Sequence, residues 1–470
     1  MKRFFAFSTA VLACSILASC GGGDGLGKHG SSEPAPTNVQ IRAEDSRVLL
    51  TWDMQPGVEY WVYKAQGSGV TPQNCSSMLA CETFINVTSP FETFGQKYLL
   101  QDGIIYSFSI NARSDGGPGG PGSPSLDGIP QIAGVNWLTN NAFGTQNLRS
   151  VTFGVSYLQS PDDPTNPNAR VATPVYIAVG DAGTLLQGQE TGNGLAWAFL
   201  NNPTSTNYRL NGVVYNSTKA MYMAVGDNGT ILDSLDGVKW DQESSGTLQN
   251  LNSITVDSNG YFVAVGARGT VLISQDGINW NSASVVPTTN TLYSVAFGSL
   301  DAGSVFQAVG DNGTILYSAD GNTWTQANPS TAGTITRNAL RSVAFSSGGS
   351  FVAVGDNKTV LISTDGITWI DESTLTSSNM QSTILPTNLN AIAFGKMFII
   401  GGDDGNIYYS PDGVTWGKTT VPYTSLPIYA IAPGSGWVRG PGGSITIYSS
   451  TVGVFDYSAV GANGLNLYSD

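Results

Sequence analysis

The chain has 470 residues, 58 of them glycine and 22 proline, and its 20 basic against 34 acidic residues give a formal charge of −14 at pH 7. No basic cluster offsets that imbalance, so DNA, RNA and anionic lipid headgroups are poor partners. The single histidine, His29, falls in a Gly- and Ser-rich stretch, which excludes Ser-His-Asp or Cys-His catalysis and histidine-built metal sites from the regions that read as folded.

Lys2 and Arg3 precede an apolar run over 4–17 that ends at Leu17-Ala18-Ser19-Cys20. The run is too short, and wrongly flanked, for a membrane-spanning helix. It resembles the export signal and lipobox of bacterial lipoproteins, which implies a signal peptide at 1–19 and lipidation of Cys20. Gly21, where the lipoprotein sorting rule reads Asp as a retention signal, implies the outer membrane. Residues 20–35 then read as a flexible tether with a reach of roughly 20 Å. Loss of Lys2 and Arg3 leaves 18 basic against 34 acidic residues, a charge of −16. Contact with the membrane is expected through the lipid anchor alone.

Cys14 leaves with the signal and Cys20 is acylated, so Cys75 and Cys81 remain, and in an exported protein they read as a local structural disulfide. Closing so small a loop stabilises by roughly 2–3 kcal/mol in the chain-entropy model. Both cysteines lie in a module at 36–127. Its runs Val48-Leu49-Leu50-Thr51-Trp52, Tyr60-Trp61-Val62-Tyr63 and Tyr106-Ser107-Phe108-Ser109-Ile110 alternate as the strands of a sandwich do. The module resembles a fibronectin type III domain, with Trp52 as its core tryptophan and Tyr106 as its corner tyrosine. Residues 114–125, SDGGPGGPGSPS, read as its last turn and a connector.

From there to the C-terminus, 128–470, the chain repeats. Ser-x-Asp-Gly-x-x-Trp ends at Trp240, Trp280, Trp324, Trp369 and Trp416, a spacing of 40 to 47 residues. That is the length of a four-stranded propeller blade, which cannot bury its own face and must stack on its neighbours. Each unit opens on an apolar strand (LNSITV at Leu251, LRSVAF at Leu340), continues through FVAVG or a relative and a turn such as Asp-Asn-Gly-Thr, and reaches a third strand before the Asp-Gly turn. The glycine of that turn takes a positive φ, the aspartate accepts turn amides, and the tryptophan wedges between sheets.

Counting back, a further unit ends at Trp197, and with the five that end in the phrase it makes six blades. The last unit breaks off at Tyr468-Ser469-Asp470, while Gly134-Val135-Asn136-Trp137 supplies the missing end. The expectation is an all-β chain whose seven-bladed propeller is closed by its own N-terminal strand, leaving no sheet edge. The extra stretch 436–449 reads as an inserted hairpin, or alternatively as part of an eighth blade.

The repeats AVG-x-x-G-T-I-L followed by Ser/Thr-x-Asp-Gly and Trp are similar to those of the photosystem II assembly factor family over 134–470. More distantly they resemble the Asp-box (BNR) repeats of sialidases, although the Arg-Ile-Pro element of those enzymes is absent and Asp-Gly stands where their box reads Asp-x-Gly. The first resemblance implies a non-catalytic binding scaffold and nothing photosynthetic. The second implies a carboxylate-based glycoside hydrolase, which is the alternative function. The preferred reading is a lipid-anchored binding or scaffold protein of the cell envelope holding an unidentified protein or glycan, with no cofactor and no metal.

Alternating strand direction places the turns after the second strand of each unit on one face, with Asp181, Asp227, Asp311, Asp356 and Asp403, interrupted by Ala267 and Ala462. Such a ring suits a cation or a basic partner, and Asp-Asn-Gly is equally good hairpin chemistry by itself. The same face receives the second residue of each first strand: Arg149, Asn211, Asn252, Tyr293, Arg341, Asn390 and Tyr429. Guanidinium, amide and phenol groups around a channel mouth suit hydrogen bonding and stacking, and these are the candidate binding residues.

Overall fold

The structure is a computed structural model. It describes residues 31–44, 47–93, 100, 104–128, 138–139, 144–159, 170–191, 194–202, 207–301, 303–329, 335–372, 388–419, 425–434, 437–439, 445–447 and 457–469. Cys20, the signal and lipobox around it, Gly21 and His29 lie outside these residues. The chain divides into two compact units, the second beginning its main body at residue 131.

In the first unit, apolar residues alternate along Arg47–Thr51 and Glu59–Gln66, so each strand buries one face. Val48 and Leu50 of a three-stranded sheet meet Tyr60, Val62, Phe108 and Ile110 of a five-stranded sheet across one core that includes Trp52 and Tyr106. Cys75 and Cys81 are disulfide-bonded. Two expectations are corrected. Ser32 and Glu33, expected in the tether, pair with Arg113 and Ala112, so ordered structure starts before residue 36. The Gly-Pro stretch is no bare connector: Gly120 N donates to Ala112 O at 2.9 Å and Ser123 N to Ile110 O at 2.7 Å, so it runs along the strand Tyr106–Arg113. A Cβ on Gly120 would collide with the Glu33 carbonyl, which is why a segment this close to the sheet is written in glycine.

In the second unit, each repeat forms an antiparallel meander. Among the described residues, successive four-stranded sheets start at Leu148–Gln159, Leu210–Asn216, Leu251–Val256, Leu292–Leu300, Leu340–Phe345, Leu389–Phe394 and Ile428–Pro433, and the fifth gains one parallel strand, Asn328–Pro329. Each of these first strands touches the next, and the last touches the first. This closed ring of meanders is the architecture of a β-propeller. In the first sheet the first two strands run long, pairing out to Gln159 and from Arg170. Among the described residues, Trp437–Arg439 and Ile445–Ile447 pair with each other and with no other strand.

Ring closure is visible in the ladder. Leu138–Thr139 pairs with Asn466–Ser469, Tyr468 against Leu138, so the strand before the first repeat completes the last sheet. Trp137 and Asp470 themselves lie outside the described residues. Between sheets the core consists of seams. Trp240 packs with Val155 and Ile177 of the preceding sheet, Trp280 with Met221 and Met223, and Trp416 with Val352 and Val354. All five phrase-ending tryptophans are buried.

Candidate functional site

The seven candidate residues share a backbone peculiarity. In every first strand the pairing register slips between the first and third residues, as between Leu210 and Gly212 or Leu340 and Ser342. The second residue is therefore the extra residue of a β-bulge, a device that re-aims a side chain. The glycine opposite the strand's first residue is required by the same close approach: a Cβ on Gly226 would collide with the Arg209 carbonyl. Its φ of −162° is ordinary extended backbone, so here the reason is space rather than dihedral freedom.

The re-aimed side chains converge. Arg149, Asn211, Asn252, Tyr293, Arg341, Asn390 and Tyr429 line one cavity of about 310 Å³, joined by Arg209. A further space of about 200 Å³ runs deeper, past Ser150, Ser253, Ser294 and Ser342. Those serines fasten neighbouring sheets: Ser150 Oγ accepts from Val213 N at 3.1 Å and Ser294 Oγ from Val343 N at 3.2 Å.

Each bulge residue reaches the aspartate of its own hairpin where there is one. Arg149 grips Asp181 through Nε and Nη2 at 2.9 and 3.2 Å, and Arg341 grips Asp356 at 2.9 and 3.0 Å. Asn211 Nδ2 donates to Asp227 at 3.0 Å, Tyr293 OH to Asp311 at 2.9 Å and Asn390 Nδ2 to Asp403 at 2.8 Å. Where Ala267 and Ala462 replace the aspartate, Asn252 Nδ2 donates instead to Leu292 O at 2.8 Å, and Tyr429 lies under the Arg149 guanidinium at 4.6 Å. Arg341 likewise stands 5.2 Å over Tyr293.

Ionisation follows from these contacts. Burial pushes the Asp181 carboxyl up, but hydrogen bonds from Arg149 and Asn147 and the positive charges of Arg149 and Arg209 outweigh it and hold the group below its usual range. Burial, then the bond to Asp311 and its charge, raises the Tyr293 phenol. The aspartate ring is thus turned inward onto the candidate residues rather than presented as a free set of carboxylates. Among the described residues no group of three His, Cys, Asp or Glu could hold a metal ion.

Reasoning from the second position alone missed Arg209, Asn147 and Asn388, which stand one residue before their strands. Asn388 Nδ2 donates to Asp403 at 2.6 Å, and Arg209 Nη2 lies 3.3 Å from Asp227. Asn147 donates to Asp181 at 2.7 Å and accepts from Asn463 N of the last sheet at 3.0 Å. The recurrence of Asn at that position, at 147, 250 and 388, was the available signal.

No protein-family model matches the chain, and no curated protein does. Among solved structures it is similar to YCF48 bound to D1 peptide, at 16% identity and a TM-score of 0.49 over 71% of this chain and 94% of that one. It is similar also to YCF48 from Cyanidioschyzon merolae, at 16% identity and a TM-score of 0.47 over 71% of this chain and 98% of that one. At that identity and those scores the likeness carries no residue-level or functional assignment.

Proposed function

We propose that the chain is a non-catalytic binding or scaffold protein of the bacterial envelope, a seven-bladed propeller whose channel mouth holds a protein or glycan partner. The observation that carries this reading is the convergence of seven bulge residues, one from each sheet, on one cavity. In this reading Cys20 carries a lipid anchor in the outer membrane, and the first unit is a fibronectin type III-like spacer. Its two sheets around Trp52 and Tyr106 support that assignment.

The mouth carboxylates favour binding over glycoside hydrolysis. A glycosidase needs one carboxyl held protonated beside one that is ionised, whereas each of these five accepts a hydrogen bond from a residue at the mouth. Two carboxyls that burial raises, Asp233 to about 6 on the third strand of the second sheet and Glu372 just after the strand Thr368–Asp371, do not line the cavity.

Photocrosslinkers placed in living cells at Asn312 on the mouth face and at Ile278 on the Asp-Gly face test the assignment. Capture of one partner from residue 312 and not from 278 is expected. Capture from 278 alone, or turnover of any glycoside that is lost on replacing a mouth aspartate, would overturn it. Cys20→Ser should release the protein from membranes, and continued retention would refute the anchor.

A further inference from the structure

We propose that the mouth cavity takes an uncharged, hydroxyl-rich ligand, the end of a neutral saccharide; the inference rests on the mouth being the binding surface. Charge is the first argument. The guanidinium groups of Arg149, Arg209 and Arg341 stand among five carboxylates bonded to the lining, which leaves a net charge of −2 around the cavity. An anion meets excess carboxylate. A cation meets carboxylates already bonded, two of them gripped through both oxygens by a guanidinium, and would have to strip those donors away.

Hydrogen-bonding capacity is the second argument. Asn211, Asn252 and Asn390 spend Nδ2 on the protein, and among the described residues nothing donates to their Oδ1 atoms. Arg149 and Arg341 spend Nε and Nη2 on aspartate, which leaves Nη1 as a donor. The Tyr429 hydroxyl has no hydrogen-bond partner among the described residues. A carboxylate only accepts and an ammonium only donates, whereas a sugar hydroxyl does both and so can use the fixed acceptors and the fixed donors of one well together.

Size and stiffness complete the case. At about 310 Å³ the cavity lies at the small end of ligand sites, which span roughly 300–1,000 Å³. Bulges and ion pairs hold its walls before anything binds, which lowers the ordering cost of association. The mouth is open to solvent and ringed by side chains from all seven sheets, so a compact ring can enter end-on and meet several of them at once.

The test uses the whole protein in calorimetric titrations at low and high salt with maltotriose, mannotriose and a neutral glycan array, and with trigalacturonate and tetralysine as charged probes. We expect a neutral saccharide to bind with an affinity that changes by less than about twofold with salt, because no charge is screened. Tyr429→Phe should weaken it about three- to tenfold by removing one hydrogen bond. The melting temperature should not change, since that hydroxyl bonds no described residue. Asn252→Ala should weaken binding as well. Salt-sensitive binding of a charged probe, lost in both variants, would overturn the neutral ligand and leave the mouth as the binding surface. Saccharide binding indifferent to both variants, or no saccharide binding while crosslinks still form from residue 312, would overturn the proposal itself. Absence of crosslinks at the mouth is what would remove the reading beneath it.

Discussion

Ser318 Oγ accepts the Gly321 amide at 2.9 Å and donates to Asp320 Oδ1 at 3.0 Å, while Asp320 accepts the Asn322 and Thr323 amides at 2.8 Å each. The serine is 2% exposed, whereas the aspartate and the two amides it serves are at the surface. Water can replace the aspartate's bonds but cannot reach the Gly321 N–H. Ser318→Ala should therefore cost about 1–3 kcal/mol, the penalty of a buried unsatisfied donor, and Asp320→Ala about 1 kcal/mol or less. Urea denaturation of the two variants decides the order, and a larger loss from Asp320→Ala would refute the account. The same serine contact recurs at Ser234, Ser274, Ser363 and Ser410. In the sequence, Asp, Gly and Trp drew the structural roles in this phrase and the serine did not, because a hydroxyl has no signature in composition or hydropathy. Asp276 is held low chiefly by the Asn279 and Ile278 amides, and Asp320, Asp365 and Asp412 also lie low, their turn amides outweighing burial. These depressed groups stabilise the fold above the ordinary aspartate range, and the contribution is lost as pH falls through their folded values.

At the scale of the strand and its neighbour, the second sheet contains a local conflict. Asp233 lies directly across the ladder from Asp241, and Glu243 follows two residues along on the same face. Burial first, then the charges of Glu243 and Asp241, raise Asp233 from 3.8 to about 6. The folded state therefore binds this proton more tightly than the unfolded chain. Stability from this group is complete below pH 3.8, falls as pH rises to about 6, and is level above that. Asp233→Asn should raise the melting temperature at pH 7.5 by a few degrees, with the gain shrinking to nothing near pH 4. A gain independent of pH would show that shape, not charge, is responsible. Strand existence was legible because alternation and Gly-Asn-Asp punctuation recur in every repeat. The bulges were not, since a one-residue slip leaves the apolar pattern of LNSITV or LRSVAF unchanged. Position two could thus be chosen as mouth-facing, while its bond to the aspartate of the same hairpin depends on a register that periodicity does not encode.

For the whole molecule, the decisive contacts join the two ends of the repeat region. Leu138–Thr139 covers the edge of Asn466–Ser469. At the mouth, Asn147 holds the Asn463 amide and Arg149 lies on Tyr429. Along the seam, Leu148, Val151 and Trp197 pack with Ala432 and Val460. This closure could be read from the sequence because a truncated phrase at one end matched its missing half at the other; the pairing of Asn147 with a turn 316 residues away could not. The seam also predicts how the ring fails. A chain beginning at residue 131 retains the closing strand, whereas one beginning at residue 144 exposes the Asn466–Ser469 edge with its backbone groups unpaired. Such an edge is a template for pairing with another chain. The longer version should melt as one cooperative unit and stay monomeric. The shorter one should melt several degrees lower, by analogy with losing a few kcal/mol of ladder and seam, and should associate as concentration rises. Light scattering and calorimetry on the pair measure both effects. Equal melting temperatures would mean that the seam side chains alone hold the ring shut, and that the strand Leu138–Thr139 contributes little to closure.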